Sequence, residues 1–316
     1  MKTKFLGKLA VSEIGLGAMP MSWGYDYKSA DPAESRATLH RAVEIGVTLI
    51  DTSDAYGPFT NETLIGECIS ADGLRDKVQL ATKVGLIFES AQSYGRDASP
   101  EHIRKACDAS LKRLQTDFID LYQLHRVDPN TPIEESIATM AELVVEGKVR
   151  HIGLSEVSVE EIKKAQTIHP IASVQSELSI WTSENVDNGV LDYCNNNNIG
   201  FLAFSPLGRG FLTGKLDSSK IGEDDFRAGN PRFTDEALAA SQAIVDGIQK
   251  VADRHGVSSA QISLAWIMAQ GPNVVPIPGT KRRKWLEENA KAGEVKLTEQ
   301  DLSEIASLPK PIAPRY

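Results

Sequence analysis

"PEHIRKACDASLKRLQTDFIDLYQLH", residues Pro100 to His125, contains one whole helix-then-strand unit. Ile103, Ala106, Cys107, Ser110, Leu111 and Leu114 fall on one face at helical spacing. Ser99 reads as an N-cap, and Pro100 takes the first helical position, where its missing N–H costs nothing. After a short polar break comes Ile119–Leu124, β-rich and buried-looking. A strand covered on both faces, fed by an amphipathic helix, belongs to a parallel sheet with helices packed over it. The strand ends in His125, a polar residue with no packing reason to be there.

The same alternation extends in both directions. Further apolar runs are Ile14–Ala18, Val47–Ile50, Val78–Thr82, His151–Leu154, Ser173–Ser176, Gly200–Phe204 and Val274–Ile277. "TPIEESIATMAELVVEGK" repeats the capping device at Thr131-Pro132, with Gly147 as the stop. Eight strand candidates with helices between them read as an α/β fold, a parallel (β/α)8 TIM barrel. A length of 316 residues suits one such barrel, and no repeat or linker divides it, so residues 1–316 read as a single domain. Three connections are long, near 19–33, 86–99 and 206–236. All follow strand C-termini, the face on which barrels carry their sites.

Composition narrows the function. The chain is 41% hydrophobic and 24% charged, with a net charge of −9. That balance is globular and argues against a nucleic-acid partner. No apolar run approaches the ~18 residues of a membrane span, and "MKTKFLGKLAVSEIGLG" has no secretory core. Three cysteines, Cys68, Cys107 and Cys194, form no metal-binding pattern and suit a reducing compartment, so the expected location is cytoplasmic. No metal is expected, and the oligomeric state is not encoded in any readable feature.

Polar residues past the strand ends are the candidate site. "VTLIDTSDAYGPFTNE", Val47 to Glu62, closes an apolar strand with Asp51 and then Tyr56. "VQLATK" ends in Lys83 and "IDLYQLH" in His125. Singly, each is an ordinary rim residue; together they fall on neighbouring staves of one rim. A phenol of pKa ~10 is a poor acid at neutral pH, and a nearby ammonium lowers that value. Lys83 is the natural ammonium, Asp51 would hold it, and His125 can hydrogen-bond the reacting oxygen. The set suits carbonyl reduction, with Tyr56 protonating oxygen as hydride reaches carbon.

Taken with these residues, the chain resembles the aldo-keto reductase family nearly end to end. "LIDTSDAYG", "ATK", "DLYQLHRVD", "GKVRHIGLSEVS", "VQSELS" and "IPGTKRRKWLEEN" carry the resemblance. It implies a catalytic set of Asp51, Tyr56, Lys83 and His125, and an NADPH cofactor bound extended across the barrel mouth. "GLGAMP" and "RGFLTGK" half-resemble dinucleotide and phosphate loops, but both lack required positions. By resemblance, Ser155, Glu156 and Gln175 face the nicotinamide carboxamide and Phe204 stacks on its ring. "FSPLGRGFLTGK", with Ser205, Leu207, Gly208, Gly210 and Lys215, is Gly-rich and suited to a pyrophosphate through free backbone N–H groups.

The run Gly279, Thr280, Lys281, Arg282, Arg283, Lys284 is a cation cluster at an expected helix N-terminus, where the dipole disfavours cations. It calls for an anion, and the 2′-phosphate of NADPH is a suitable one. Glu288 and Asn289 are implied to contact adenine, with Trp285 placed to stack on it. Two positions depart from the common family pattern: Glu156 replaces an Asn, and Trp285 replaces an Arg. Both resemble a bacterial and fungal branch of aldehyde or pyridoxal reductases. An Asn donates and accepts, whereas an ionised Glu only accepts, so Glu156 either takes the carboxamide NH2 or points elsewhere.

Met19, Met21, Trp23, Tyr56, His125 and the segment Leu86–Tyr94 are expected around a hydrophobic small-molecule carbonyl. Which aldehyde or ketone is reduced has no code in the loops. Two other readings stay open from sequence: an NAD(P)-linked alcohol dehydrogenase running in reverse, and a cofactor-sensing subunit resembling potassium-channel β subunits.

Overall fold

The computed structural model describes residues 1–88, 94–223 and 225–315. Its strands in chain order are β1 (Thr3–Leu6), β2 (Leu9–Ser12), β3 (Leu16–Gly17), β4 (Leu49–Asp51), β5 (Gln79–Val84), β6 (Leu86–Phe88), β7 (Tyr94–Arg96), β8 (Ile119–Leu124), β9 (Val149–Ser155), β10 (Ile171–Glu177), β11 (Gly200–Phe204) and β12 (Val274–Pro276). Eight of them form one parallel sheet in the order β3-β4-β5-β8-β9-β10-β11-β12. The sheet closes on itself: Gly17 bridges Gly279, Gly15 N–H donates to Pro276 O at 3.0 Å, and Gly17 N–H to Pro278 O at 3.2 Å. This is the expected (β/α)8 barrel, and every apolar run read from sequence lies at one of its strands.

Closure explains the first glycine-rich decoy. A Cβ on Gly17 would lie 2.9 Å from Ile277 O, and one on Gly15 would lie 2.9 Å from Ile277 Cγ2. Those glycines let the first and last staves meet.

Helices Pro32–Glu44, Thr60–Ala71, Pro100–Leu114, Ile133–Val145, Val159–Gln166 and Val190–Asn196 alternate with the strands. Ile103, Leu114, Ile137, Met140 and Leu143 pack onto the outward faces of Leu80, Tyr122, Ile152 and Leu154 in one continuous core. Ser99 caps as expected, accepting from His102 N–H at 3.3 Å. Thr131 does not: its hydroxyl donates to Asp128 at 3.1 Å, and the helix opens one residue later than read, with Pro132 in the cap position. No helix among the described residues is long and apolar enough to cross a membrane.

The hairpin β1–β2 was not expected from sequence. It plugs the lower barrel, where Leu6, Leu9 and Val11 meet Leu49, Leu121, Leu202 and Val275. At the opposite rim the three long connections carry local structure of their own, the one after β3 as the helical turns Met19–Met21 and Tyr27–Ser29. The one after β5 contains the antiparallel pair β6–β7, and its residues 89–93 lie outside the described residues. The one after β11 is a series of short turns that leads into the helix Asp235–His255.

Candidate active site

Register brings the strand-end residues together. Lys83 of β5 pairs with Gln123 of β8, Gln123 with Gly153 of β9, and Ser155 of β9 with Gln175 of β10. Lys83 is fully buried. Its Nζ donates to Asp51 Oδ1 at 2.6 Å, to Thr52 O at 2.7 Å and to Tyr56 OH at 3.3 Å. Asp51 Oδ2 in turn accepts from Gln175 at 2.8 Å and Gln123 at 3.2 Å. Tyr56 reaches this position because the chain turns sharply at Gly57, whose φ is +81°; a Cβ there would meet Thr60 Oγ1 at 2.0 Å.

The electrostatics refine the sequence argument. Burial pulls the Lys83 ammonium down, but Asp51 and Tyr56 outweigh it, so the group stays charged. For Tyr56 the balance goes the other way. Burial raises the phenol above its ordinary value despite the pull of Lys83. The expectation of a lowered Tyr56 pKa is therefore corrected: the ammonium moderates a phenol that burial keeps protonated. His125 Nδ1 stands 3.1 Å from Ser53 Oγ, and its ring meets Tyr56 edge-on with centroids 6.1 Å apart. Burial, then Lys83 and Arg126, push the imidazole well below its usual pKa, so it is neutral.

Above these groups opens a cavity of about 1190 Å³. Asp51, Tyr56, His125, Ser155, Glu156, Gln175 and Phe204 line its floor. Ser205, Leu207, Gly210 and Lys215 line one side, and Gly279, Thr280, Lys281, Arg282, Trp285, Glu288 and Asn289 another. Met19, Trp23, Leu86 and Tyr94 line the mouth. Several expected residues lie off its surface, among them Arg283 and Lys284 of the cation cluster and Ile87. Lys83 lies behind Tyr56, bonded to its hydroxyl at 3.3 Å. Met21 is in the main core, because the short helical turn Met19–Met21 directs it inward. Gly208 is buried beneath Trp181, which a Cβ would approach to 3.0 Å.

Other expectations change in detail. The Gly-rich turn does not offer all its N–H groups to a ligand: those of Gly208, Gly210, Leu212 and Gly214 bond to nearby carbonyls. The cation cluster already holds part of its anion. Glu34 accepts from the Arg283 backbone at 3.0 Å and its guanidinium at 2.8 Å, so it caps the helix Arg283–Ala290. Lys281 donates to Asp26 O and, at 3.0 Å, to Ser29 Oγ, tying down the loop after β3. Lys284 lies 4.7 Å from the Trp285 ring, with Lys215 at 5.3 Å. Arg282 has no carboxylate partner among the described residues.

Glu156 lines the cavity with its carboxylate already engaged inside the protein. It accepts Glu177 N–H at 2.9 Å and pairs with Arg315 at 2.5 Å. Gln175 spends its NH2 on Asp51 and on Gln123, which leaves its carbonyl oxygen at the cavity. Arg126 donates to His125 O at 2.6 Å and Ser155 Oγ at 3.1 Å. Sequence reasoning missed Ser53, Gln123, Arg126 and Arg315. Period-two alternation could have found Gln123, two residues before His125. Nothing in the sequence marks Arg315, which arrives from the C-terminal segment. Among the described non-glycine residues with left-handed backbone, Asp26, Glu156, Ser205 and Arg209 all line this cavity. Such strain collects at sites where the surrounding structure enforces it.

Comparison with known proteins agrees with the geometry. The model of the Aldo/keto reductase family matches residues 13–310. "Probable aldo-keto reductase 1" of Glycine max is 40% identical over 298 residues, covering 93% of this chain and 84% of that protein. A glycerol dehydrogenase from Gluconobacter oxydans superposes with a TM-score of 0.88 at 29% identity, over 99% of this chain and 98% of that one. A thermostable aldo-keto reductase solved with the inhibitor epalrestat gives 0.78 at 29% identity, over 98% and 100%. The chain belongs to the aldo/keto reductase family, and so to the oxidoreductases that interconvert carbonyls and alcohols.

Proposed function

We propose that this enzyme reduces an aldehyde or ketone to the alcohol with NADPH, and that Tyr56 is the general acid. The observation that carries the proposal is the buried line Asp51–Lys83–Tyr56, at 2.6 and 3.3 Å. Lys83 stabilises negative charge that develops on the phenol oxygen as its proton leaves, and Asp51 keeps Lys83 charged and aimed. His125, neutral and beside Tyr56, positions the substrate oxygen. NADPH, when bound, supplies the hydride. The residues present fit that cofactor. The Arg282 guanidinium, with no carboxylate partner among the described residues, suits a 2′-phosphate, Trp285 offers an aromatic face, and the Gln175 carbonyl oxygen accepts an amide N–H. Met19, Trp23, Leu86 and Tyr94 give the mouth an apolar wall, which favours a hydrophobic carbonyl.

The name of the Gluconobacter relative raises the reverse reaction. Alcohol oxidation needs Tyr56 as a phenolate base. Burial holds the phenol protonated, which favours reduction at neutral pH. The test is Tyr56→Phe, assayed with an aldehyde and ketone panel and NADPH. General acid catalysis contributes ~10²–10⁴-fold, so turnover should fall at least by that lower bound while NADPH still quenches protein fluorescence. Turnover close to wild type would remove Tyr56 from the role.

A further inference from the structure

Ser53 is a junction between two buried groups that the reaction scheme leaves unlinked. Its Oγ receives the Ala55 N–H at 3.1 Å, stands 3.2 Å from Asp54 Oδ1 and 3.1 Å from His125 Nδ1. Ser53, Asp54 and His125 are 0%, 4% and 7% exposed. A hydroxyl has one proton to give and two lone pairs. Ser53 can therefore donate to Asp54 or to His125, but not to both.

The outcome depends on whether Asp54 carries a proton. An ionised Asp54 draws the Ser53 hydroxyl, because the charge-assisted bond is the stronger. His125 then keeps Ser53 as a partner only by carrying its own proton on Nδ1, which leaves Nε2 bare. A protonated Asp54 donates to Ser53, Ser53 donates to Nδ1, and Nε2 keeps its hydrogen. Ser53 makes three bonds in either arrangement, so the proton on Asp54 decides only which nitrogen of His125 carries the hydrogen. The arrangement with protonated Asp54 is the one in which His125 offers a donor to a carbonyl oxygen.

The surroundings of Asp54 favour the proton. Glu62, on the helix Thr60–Ala71, is fully buried beside it. The guanidinium that acts on Asp54, Arg113 on the helix Pro100–Leu114, is engaged by Glu62 at 2.7 Å. Thr82 of β5 also serves Glu62, at 2.5 Å. Lys83 of β5 gives its ammonium to Asp51, Thr52 and Tyr56. Tyr122 of β8 is a buried phenol held protonated, and His125 is neutral. Among the described residues no cation pairs directly with Asp54; Arg113, Ser53 and the Ala55 N–H pull its carboxyl down, and burial with Glu62 outweighs them. Burial, then Glu62, push its carboxyl up to about 8.

We propose that Asp54 is a positioning residue: as a carboxylic acid it acts through Ser53 to hold His125 in the tautomer that donates from Nε2. This rests on the reading of His125 as the group that holds the substrate oxygen. The test is NMR of the full chain with 15N-labelled histidine, His125 being assigned by comparison with His125→Gln. The titration spans ~pH 6 to ~9.5, on either side of the carboxyl's midpoint. The expected result is an Nε2–H tautomer at low pH that gives way to Nδ1–H above about 8.

In Asp54→Asn the carboxamide N–H donates to Ser53 at every pH, so the Nε2–H form should persist throughout. In kinetics, wild-type kcat/KM for reduction should fall by about tenfold per pH unit beyond that midpoint, and Asp54→Asn should lack the fall. Tyr56, held above its ordinary value, titrates too high to mimic it. A His125 tautomer that ignores both pH and Asp54→Asn overturns the proposal. Should Asp54→Asn not fold, the wild-type titration decides alone, and a constant tautomer overturns it. Failure of the reductase reading is a separate event, seen as turnover retained in Tyr56→Phe, and the NMR measurement does not depend on it.

Discussion

Lys83 has no contact with solvent, and an ammonium there is tolerable only because its three donors have acceptors. The ion pair with Asp51 therefore has a structural cost if broken. Lys83→Met should cost about 3–5 kcal/mol, because it leaves a buried carboxylate without its cation. Asp51→Asn in the same chain should recover much of that loss while reduction stays slow. Denaturant unfolding of the single and double variants, with aldehyde turnover, tests this. A single variant as stable as wild type would mean that Asp51 finds another partner. This scale was also the most legible in the sequence. Tyr56, Asp51, Lys83 and His125 each end or follow an apolar run, so strand alternation alone sets them on one rim. Ser53 and Gln123 escaped notice because their importance lies in hydrogen bonds between strands, which alternation does not specify. The engagement of Glu156 is equally illegible, because its partner Arg315 is 159 residues away.

Among elements, the long loops after β3 and after β11 behave as one wall. Trp23, after β3, meets Phe226, after β11, edge-on with centroids 5.6 Å apart, and it lies 5.9 Å from Tyr27. Arg227 sits 5.2 Å from the Tyr25 ring and pairs with Asp225 at 2.6 Å. Trp23 thus presents an aromatic surface at the cavity mouth while its neighbours hold the loop. Trp23→Ala should raise KM for aromatic aldehydes several-fold more than for short aliphatic ones, since an aromatic pair contributes about 0.5–1.5 kcal/mol beyond area burial. Steady-state kinetics on matched aldehydes measures the difference, and equal effects on both classes would make Trp23 a loop-packing residue only. The positions of the long loops could be read from strand spacing. Their mutual contact could not, because it joins segments about 200 residues apart through side chains with no period.

For the molecule as a whole, the proposed NADPH cofactor poses a charge problem, since it is a polyanion and the chain carries a net charge of −9. A global field of that sign slows the approach of anions, so the cations at Gly279–Lys284 have to act locally. Sequence alone made them one cluster; the fold divides their work. Arg283 is matched to Glu34, and Lys281 is bound to the loop at Asp26 and Ser29. Lys284 stands over the Trp285 ring, and on the proposed NADPH reading Arg282, at the cap of the helix Arg283–Ala290, is the cation for the 2′-phosphate. A hydrogen bond to a charged group contributes roughly 1.5–3 kcal/mol, which corresponds to a preference of roughly 10- to 150-fold. Arg282→Ala should remove most of that preference and leave NADH affinity nearly unchanged. Lys281→Ala should weaken both cofactors together, because it releases the loop rather than a phosphate contact. Raising salt should narrow the wild-type gap, since Arg282 is exposed and its interactions are screened. Kd values for NADPH and NADH in the two variants, at low and high salt, separate these effects. Equal losses for both cofactors in Arg282→Ala would place the phosphate elsewhere, and a loss confined to NADPH in Lys281→Ala would return that lysine to direct recognition.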